Sequence, residues 1–302
     1  DQWLNSQGRL SRPLILERDS NHYVPSDWDR AIGIIAKSLD ALEDPNDAYF
    51  YTSGRASNEA AYLWQLLARQ YGTNNLPDCS NMCHESSGVA LNESIGIGKG
   101  TVRLEDFDKA DLIVIVGQNP GTNHPRMLSA LKSAKKSGAS VLSINPLKET
   151  GMRRFRHPQS PIDMLGAGTQ ISDDHVNIKI NGDMALFRAI GSIILDKGSH
   201  DLDFINLNTT GFLDYAKIAQ KIDWDLIEHL TGQDRERINE ISDYFCRSKR
   251  TIVCWAMGIT QHKNSVNTIR EIMNVLLLKG DIGREGSGPC PVRGHSNVQG
   301  DR

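Results

Sequence analysis

Two thiols and an imidazole lie close together in Asp78-Cys-Ser-Asn-Met-Cys-His-Glu-Ser-Ser87. Cys83 and His84 are adjacent, and the spacing predicts a polar loop that opens a helix of small residues. A helix N-terminus and a neighbouring imidazole both favour thiolate over thiol, and a thiolate is a nucleophile or a soft metal ligand. The competing reading is a buried, inert thiol beside a surface histidine. Cys79, four residues earlier, can face the same helix side and is assigned a structural role.

Chemistry at such a loop needs elements to hold it. Residues 1–25 are irregular and polar, and Ser26-Asp-Trp-Asp29 reads as an N-cap with acids in the first turn of a helix from about residue 27. Ala48-Tyr-Phe-Tyr-Thr52 reads as a short strand, and a helix is predicted over 58–71. Apolar strands follow at 110–117, 140–145, 175–180 and 251–256, with helices over 125–137, from Met184, and over 264–278. Continuous apolar strands alternating with helices mean a parallel sheet in an α/β fold.

Ligands of open parallel sheets sit outside the carboxyl ends of the strands. The loops expected there are Ser53-Gly-Arg-Ala-Ser-Asn58, Gly117-Gln-Asn-Pro-Gly-Thr-Asn-His124, Asn145-Pro-Leu-Lys148, Asn181-Gly-Asp183 and Met257-Gly-Ile-Thr-Gln261. Glycine lets backbone approach a phosphate, helix N-termini favour anions, and Asn, Asp or Gln can hydrogen-bond a purine edge or a ribose. Any one such loop is equally well an ordinary turn. Five of them point to a large nucleotide. No GxGxxG, GxxxxGK[ST] or GxSxG occurs, which argues against ordinary NAD, P-loop and serine-hydrolase chemistry.

The 302 residues, 39% apolar and 24% charged, suffice for about two domains. A formal charge of −3 gives no field that favours nucleic acid or an anionic membrane. No apolar run approaches the ~18–20 residues needed to cross a bilayer, and the first residues lack a secretory pattern, so a cytoplasmic location without membrane insertion is expected. Five scattered cysteines, an odd number, read as reduced thiols rather than a disulfide framework. Both ends read as cut, the last inside the Gly-rich loop Arg293-Gly-His-Ser-Asn-Val-Gln-Gly300.

Several motifs in this order resemble the molybdopterin-guanine-dinucleotide oxidoreductases, most closely their formate-dehydrogenase-like group. They are Gly72-Thr-Asn-Asn75, Cys83-His84 with its small-residue helix, Gly117-Gln-Asn-Pro120 with His124-Pro125, Ile144-Asn-Pro146, Gly182-Asp183-Met-Ala-Leu186, Gly258-Ile-Thr-Gln261 and Arg293 to Gly300. The resemblance implies a Rossmann-like parallel sheet with flanking helices, as in the central domains of formate dehydrogenases and DMSO reductases, plus part of a second, discontinuous α/β domain. It also implies a fragment of a catalytic subunit, with molybdenum or tungsten held as a bis(molybdopterin guanine dinucleotide). Cys83 matches the metal ligand, His84 the proton-handling group and Arg293 the arginine for a small anionic substrate such as formate. A guanidinium fixes a carboxylate with two hydrogen bonds, and an imidazole beside the metal can take a proton.

By the same resemblance Gly117, Asn119, Asn145, Gly182, Asp183, Met257, Gly258, Gln261 and Gly294 line the pterin-guanosine tails, and Arg55 and Asn58 contact the cofactor from the other domain. Taken alone, Asn119 and Asn145 read as strand-end caps and Arg293 as a solvated charge. The chain departs from the group in having Asn145-Pro146-Leu147 for an acid-Pro-Arg run, and His295 for a glutamine. A 4Fe–4S cluster is expected only in an upstream segment. The expected division is 1–78 for the first half of the discontinuous domain, 79–297 for the Rossmann-like domain, and 298–302 for the start of the return segment. The fragment alone is expected to be inactive, and the electron-accepting protein is not identified. The rival reading is a metal-free structural relative within an electron-transfer complex; a plain nucleotide-binding module is weaker, given the missing phosphate motifs.

Overall fold

The computed structural model describes residues 2–161 and 166–298, and its contacts gather into two units, Asp1–Cys79 with Asn297–Arg302, and Ser80–Ser296. In the first unit β1 (Leu14–Leu16) and β2 (Tyr23–Pro25) pair antiparallel. They precede helices α1 (Trp28–Asp40) and α2 (Asn58–Tyr71). Asp27, not Ser26, caps α1: its carboxylate accepts from Arg30 N at 2.7 Å, while the Ser26 backbone is still paired with the Pro13 carbonyl at 2.9 Å. The expected strand at 48–52 is extended, with Phe50 N donating to Asn75 O at 2.9 Å, yet only Thr52 forms a bridge, to Asp78. One partner segment on one side leaves no ladder to propagate.

The second unit is a three-layer α/β/α sandwich. Its sheet contains β3 (Leu112–Val116), β4 (Ser140–Asn145), β5 (Asp174–Asn177), β6 (Thr251–Trp255) and β7 (Gly288–Pro291) in the order β5-β4-β3-β6-β7, and every pair is parallel. All five side chains of β3 are buried. Because side chains alternate along a strand, Leu112, Val114 and Val116 enter one core and Ile113 and Ile115 the other. The first core is roofed by α3 (Cys79–Ile95), α5 (Asp183–Asp196), α6 (Leu202–Asn208), α8 (Trp224–Thr231), α9 (Arg235–Arg247) and α10 (Ser265–Leu278), with α7 (Phe212–Ala219) against its margin. The second core is roofed by α4 (Met127–Lys136) together with Phe107, Met152 and Ile171.

A further strand expectation needs correction, and one strand was not expected. β5 covers Asp174–Asn177 rather than 175–180, because Lys179 N leaves the sheet to donate to Thr231 O at 3.0 Å. The edge strand β7, Gly-Pro-Cys-Pro, carries no period to find; two prolines are tolerated there because an edge needs fewer donors.

The order places the reversal of winding between β3 and β6, and the loops after both strands meet there. Gly258 N donates to Gly117 O at 3.0 Å. Gly117 has φ +56, and a Cβ built on Gly258 would lie 2.6 Å from its Cα. The loops after β3 and β4 touch in the same way, a Cβ on Gly121 falling 2.6 Å from the Cα of Gly151. The strand-end loops therefore converge on one edge. Gly258→Ala should force these backbones apart and lower the thermal midpoint by the equivalent of about 2 kcal/mol or more, the usual cost of overpacking against rigid atoms. A melting curve within 1 °C of wild type, on the order of a quarter of a kcal/mol for a domain of this size, would show that the loops can part freely.

Candidate cofactor and substrate site

The crevice at this edge is built on backbone. Asn145 is 6% exposed at the end of β4, and its Nδ2 donates to Gln118 O at 3.1 Å, bracing the loop after β3. Asn119 caps the helical turn Pro120–Asn123, its Oδ1 accepting from Thr122 N at 3.3 Å. Both asparagines thus serve as strand-end braces. Gly117 and Gly258 supply the close approach between loops, and Met257 stands exposed beside them.

Cys83 and His84 lie within α3 rather than in a loop before it. The helix is broken at His84, whose φ −135 and ψ 21 are not helical. Gln261 holds the turn before this break: its Nε2 donates to Met82 O at 2.8 Å and reaches Cys83 O at 3.5 Å. The residue expected to meet the pterin therefore fixes the backbone of the thiol. After the break, Trp255 Nε1 donates to Ser87 Oγ at 3.0 Å, and that hydroxyl lies 3.0 Å from His84 Nδ1. His84 is thereby oriented from the end of β6.

His84 is 3% exposed, and its Nε2 is buried without a hydrogen-bond partner. Burial, and then the nearby Arg293 guanidinium, push its pKa down to about 4. His124 adds to that repulsion, so His84, His124 and Arg293 form one group. His124 has its own pKa lowered by burial, and its Nδ1 lies 3.2 Å from Gln118 Nε2. Gln118 Oε1 and His124 Nε2 are likewise buried without partners. Neither Gln118 nor His124 was assigned a site role from sequence, although both lie inside the Gly117–His124 loop singled out there.

Gly294 lies beside this group, a Cβ on it falling 3.9 Å from His124 Nε2. Asp183 opens α5 and is 5% exposed; burial raises its carboxyl to about 6 against the opposing effects of a backbone hydrogen bond and His262. Gly182 is packed under Leu230 O, where a Cβ would lie 2.6 Å away. In the other unit Arg55 is exposed, and Asn58 Oδ1 accepts from Asn297 Nδ2 at 2.8 Å. Cys79 is structural: its Sγ accepts from Gly54 N at 2.9 Å. Gly300 and the rest of 299–302, most of the expected return segment 298–302, lie outside the described residues.

Among the described residues no group of three or more His, Cys, Asp or Glu is placed to hold a metal ion. A metal at Cys83 would therefore draw its further ligands from a cofactor rather than from such a group of described residues. A family model described as molybdopterin oxidoreductase matches residues 9–301. The chain belongs to the molybdopterin oxidoreductase family.

It is 51% identical over 308 residues to the uncharacterized oxidoreductase Rv2900c of Mycobacterium tuberculosis, covering 100% of this chain and 40% of that protein. YdeP of Escherichia coli is 46% identical over 313 residues, covering 100% and 41%. Formate dehydrogenase H of the same organism is 30% identical over 297 residues, covering 97% and 39%. The chain thus spans about two fifths of the length of these relatives. Acetylene hydratase from Pelobacter acetylenicus shares the fold, with a TM-score of 0.70 at 19% identity, over 93% of this chain and 36% of that one. Among the described residues no helix is long and apolar enough to cross a membrane.

The raised carboxyl of Asp183 has a sign. A folded pKa of about 6 against an ordinary 3.8 means the folded state holds the proton more tightly, so this contribution to stability is present below pH 3.8 and lost as pH rises through 6. Asp183→Asn should therefore raise the melting temperature of cofactor-free protein more at pH 7.5 than at pH 5. An equal difference at both pH values would mean that Asp183 ionises normally.

Proposed function

We propose that the chain is part of a two-electron molybdenum or tungsten oxidoreductase that carries a bis(molybdopterin guanine dinucleotide) and oxidises formate or another small carboxylate. The observation that carries this reading is the pair of buried polar atoms without well-formed hydrogen bonds, His84 Nε2 and Gln118 Oε1, grouped by the strand-end loops near Cys83 and Arg293. An unmet buried polar group costs about 1–3 kcal/mol, and a ligand that meets both removes that cost. The naming of one relative as formate dehydrogenase H supports the carboxylate.

Cys83 is the thiolate for the metal. The Gly117, Gly258 and Asn145 edge, with Asp183, receives the nucleotide tails. The bound group supplies the acceptor for an electron pair. Oxidation of formate to carbon dioxide releases two electrons and one proton. Arg293 grips the carboxylate, and His84, with its Nδ1 hydrogen directed at Ser87, takes the proton at Nε2. Gln261 and Ser87 keep thiol backbone and imidazole in register. An upstream segment would hold a 4Fe–4S cluster able to carry the electrons on to a protein acceptor.

The rival, a metal-free relative within an electron-transfer complex, has no need of Cys83, His84 and Arg293 together. In the full-length protein, metal analysis should find molybdenum or tungsten, and Cys83→Ala should abolish turnover. Active enzyme containing neither metal would end this reading. Arg293→Lys should raise KM for the carboxylate roughly 30-fold or more, since a two-pronged charged contact in a dry pocket is worth on the order of 2–4 kcal/mol. An unchanged kcat/KM would reduce Arg293 to a surface charge.

A further inference from the structure

Gln118 is 3% exposed, and its amide is fixed by what surrounds it. Nε2 lies 3.1 Å from Met127 Sδ and 3.2 Å from His124 Nδ1. A thioether sulfur accepts hydrogen bonds and cannot donate, so the NH2 end of the amide is the end that faces it. That NH2 has only hydrogens to offer, so His124 Nδ1 must be the acceptor. A neutral imidazole has one hydrogen, and with Nδ1 accepting it sits on Nε2. Protonating Nδ1 would set two donors against each other, and burial disfavours the cation as well.

His124 is therefore locked as a neutral ring with an Nε2–H donor. That nitrogen is buried, lacks a well-formed hydrogen bond, and lies 3.9 Å from where a Cβ on Gly294 would be. The Arg293 backbone is within its influence. Gln118 in turn hangs from Asn145 through its own carbonyl at 3.1 Å. A continuous chain thus runs from the end of β4 through Gln118 and His124 to the loop that bears Arg293.

We propose that Gln118 and His124 are positioning residues: Gln118 fixes the tautomer of His124, and the His124 Nε2–H holds the Arg293–Gly294 backbone so that the guanidinium is presented to the substrate anion. The consequence for turnover rests on the reading of Arg293 as the carboxylate-binding group, whereas the tie to the loop does not.

The test uses the full-length, cofactor-loaded protein. Hydrogen–deuterium exchange of the peptide around residues 290–298 reads the loop, and steady-state kinetics with formate, with acetate as a competing anion, read the site. His124→Phe keeps a flat ring and removes the donor. It should speed exchange in this peptide and raise KM for formate and Ki for acetate roughly 3- to 10-fold, the range for one lost hydrogen bond, with a smaller change in kcat. His124→Gln, whose amide can donate from nearly the same place, should recover most of both effects. Gln118→Met, a milder change of similar volume, should give an intermediate result by freeing the tautomer. Unchanged exchange in both His124→Phe and Gln118→Met overturns the proposal, as does His124→Gln behaving no better than His124→Phe. Faster exchange in His124→Phe while Arg293→Ala leaves KM unaltered upholds the tie and overturns the carboxylate reading instead.

Discussion

The central strand has no polar side. Leu112 to Val116 are buried on both faces, so the sheet must be covered twice, and a parallel strand can be covered twice only if each return to the starting edge runs through a crossover. Every crossover brings a strand out at the same edge as its neighbours. The convergence of the loops after β3, β4, β5 and β6 is thus a geometric result of one apolar pentapeptide and the pairing it imposes. What those loops contain is left free, and here they contain glycine, asparagine and buried histidine.

Burial at that edge acts on bases and acids in opposite directions toward the same end. His84 is driven down to about 4 and Asp183 up to about 6, each toward its neutral form. The edge resists charge on its own side chains, and the charge that appears there is fixed on Arg293 or arrives with a ligand. The two unmet polar atoms, His84 Nε2 and Gln118 Oε1, belong to the same picture: at about 1–3 kcal/mol each, they are a burden that folding alone gives no reason to keep. A low-dielectric crevice with unspent hydrogen-bonding capacity strengthens whatever electrostatic contact a ligand makes.

Much of this was legible in the sequence because it rests on continuous apolar runs and on breakers. The runs at 112–116, 140–145 and 251–255 and the helix over 58–71 fall where composition places them. Helices α6 to α9 were not picked out, although Asp201, Asp223 and Asp234 each accept from a backbone N–H at the start of α6, α8 and α9. Side-chain partners were less legible still. Gln261 reads as a ligand group yet grips the Met82 carbonyl, and the break at His84 has no breaker residue to announce it, since it depends on Ser87 and Trp255, the latter 168 positions beyond the former. Gln118 and His124 were overlooked because their role lies in how two rotamers face each other, and spacing along a chain does not encode that.

The contact of Gly117 with Gly258 joins positions 141 residues apart in the numbering. In sequence space it removes nearly all freedom at both sites together: a methyl group on either strikes the backbone of the other, so no single step away from glycine is open, and no compensating step at the partner exists because glycine is already the smallest residue. Such a pair leaves no record as covariation. Drift elsewhere in the two loops can change which nucleotide or substrate they greet, while any side chain at this junction would have to part the two backbones.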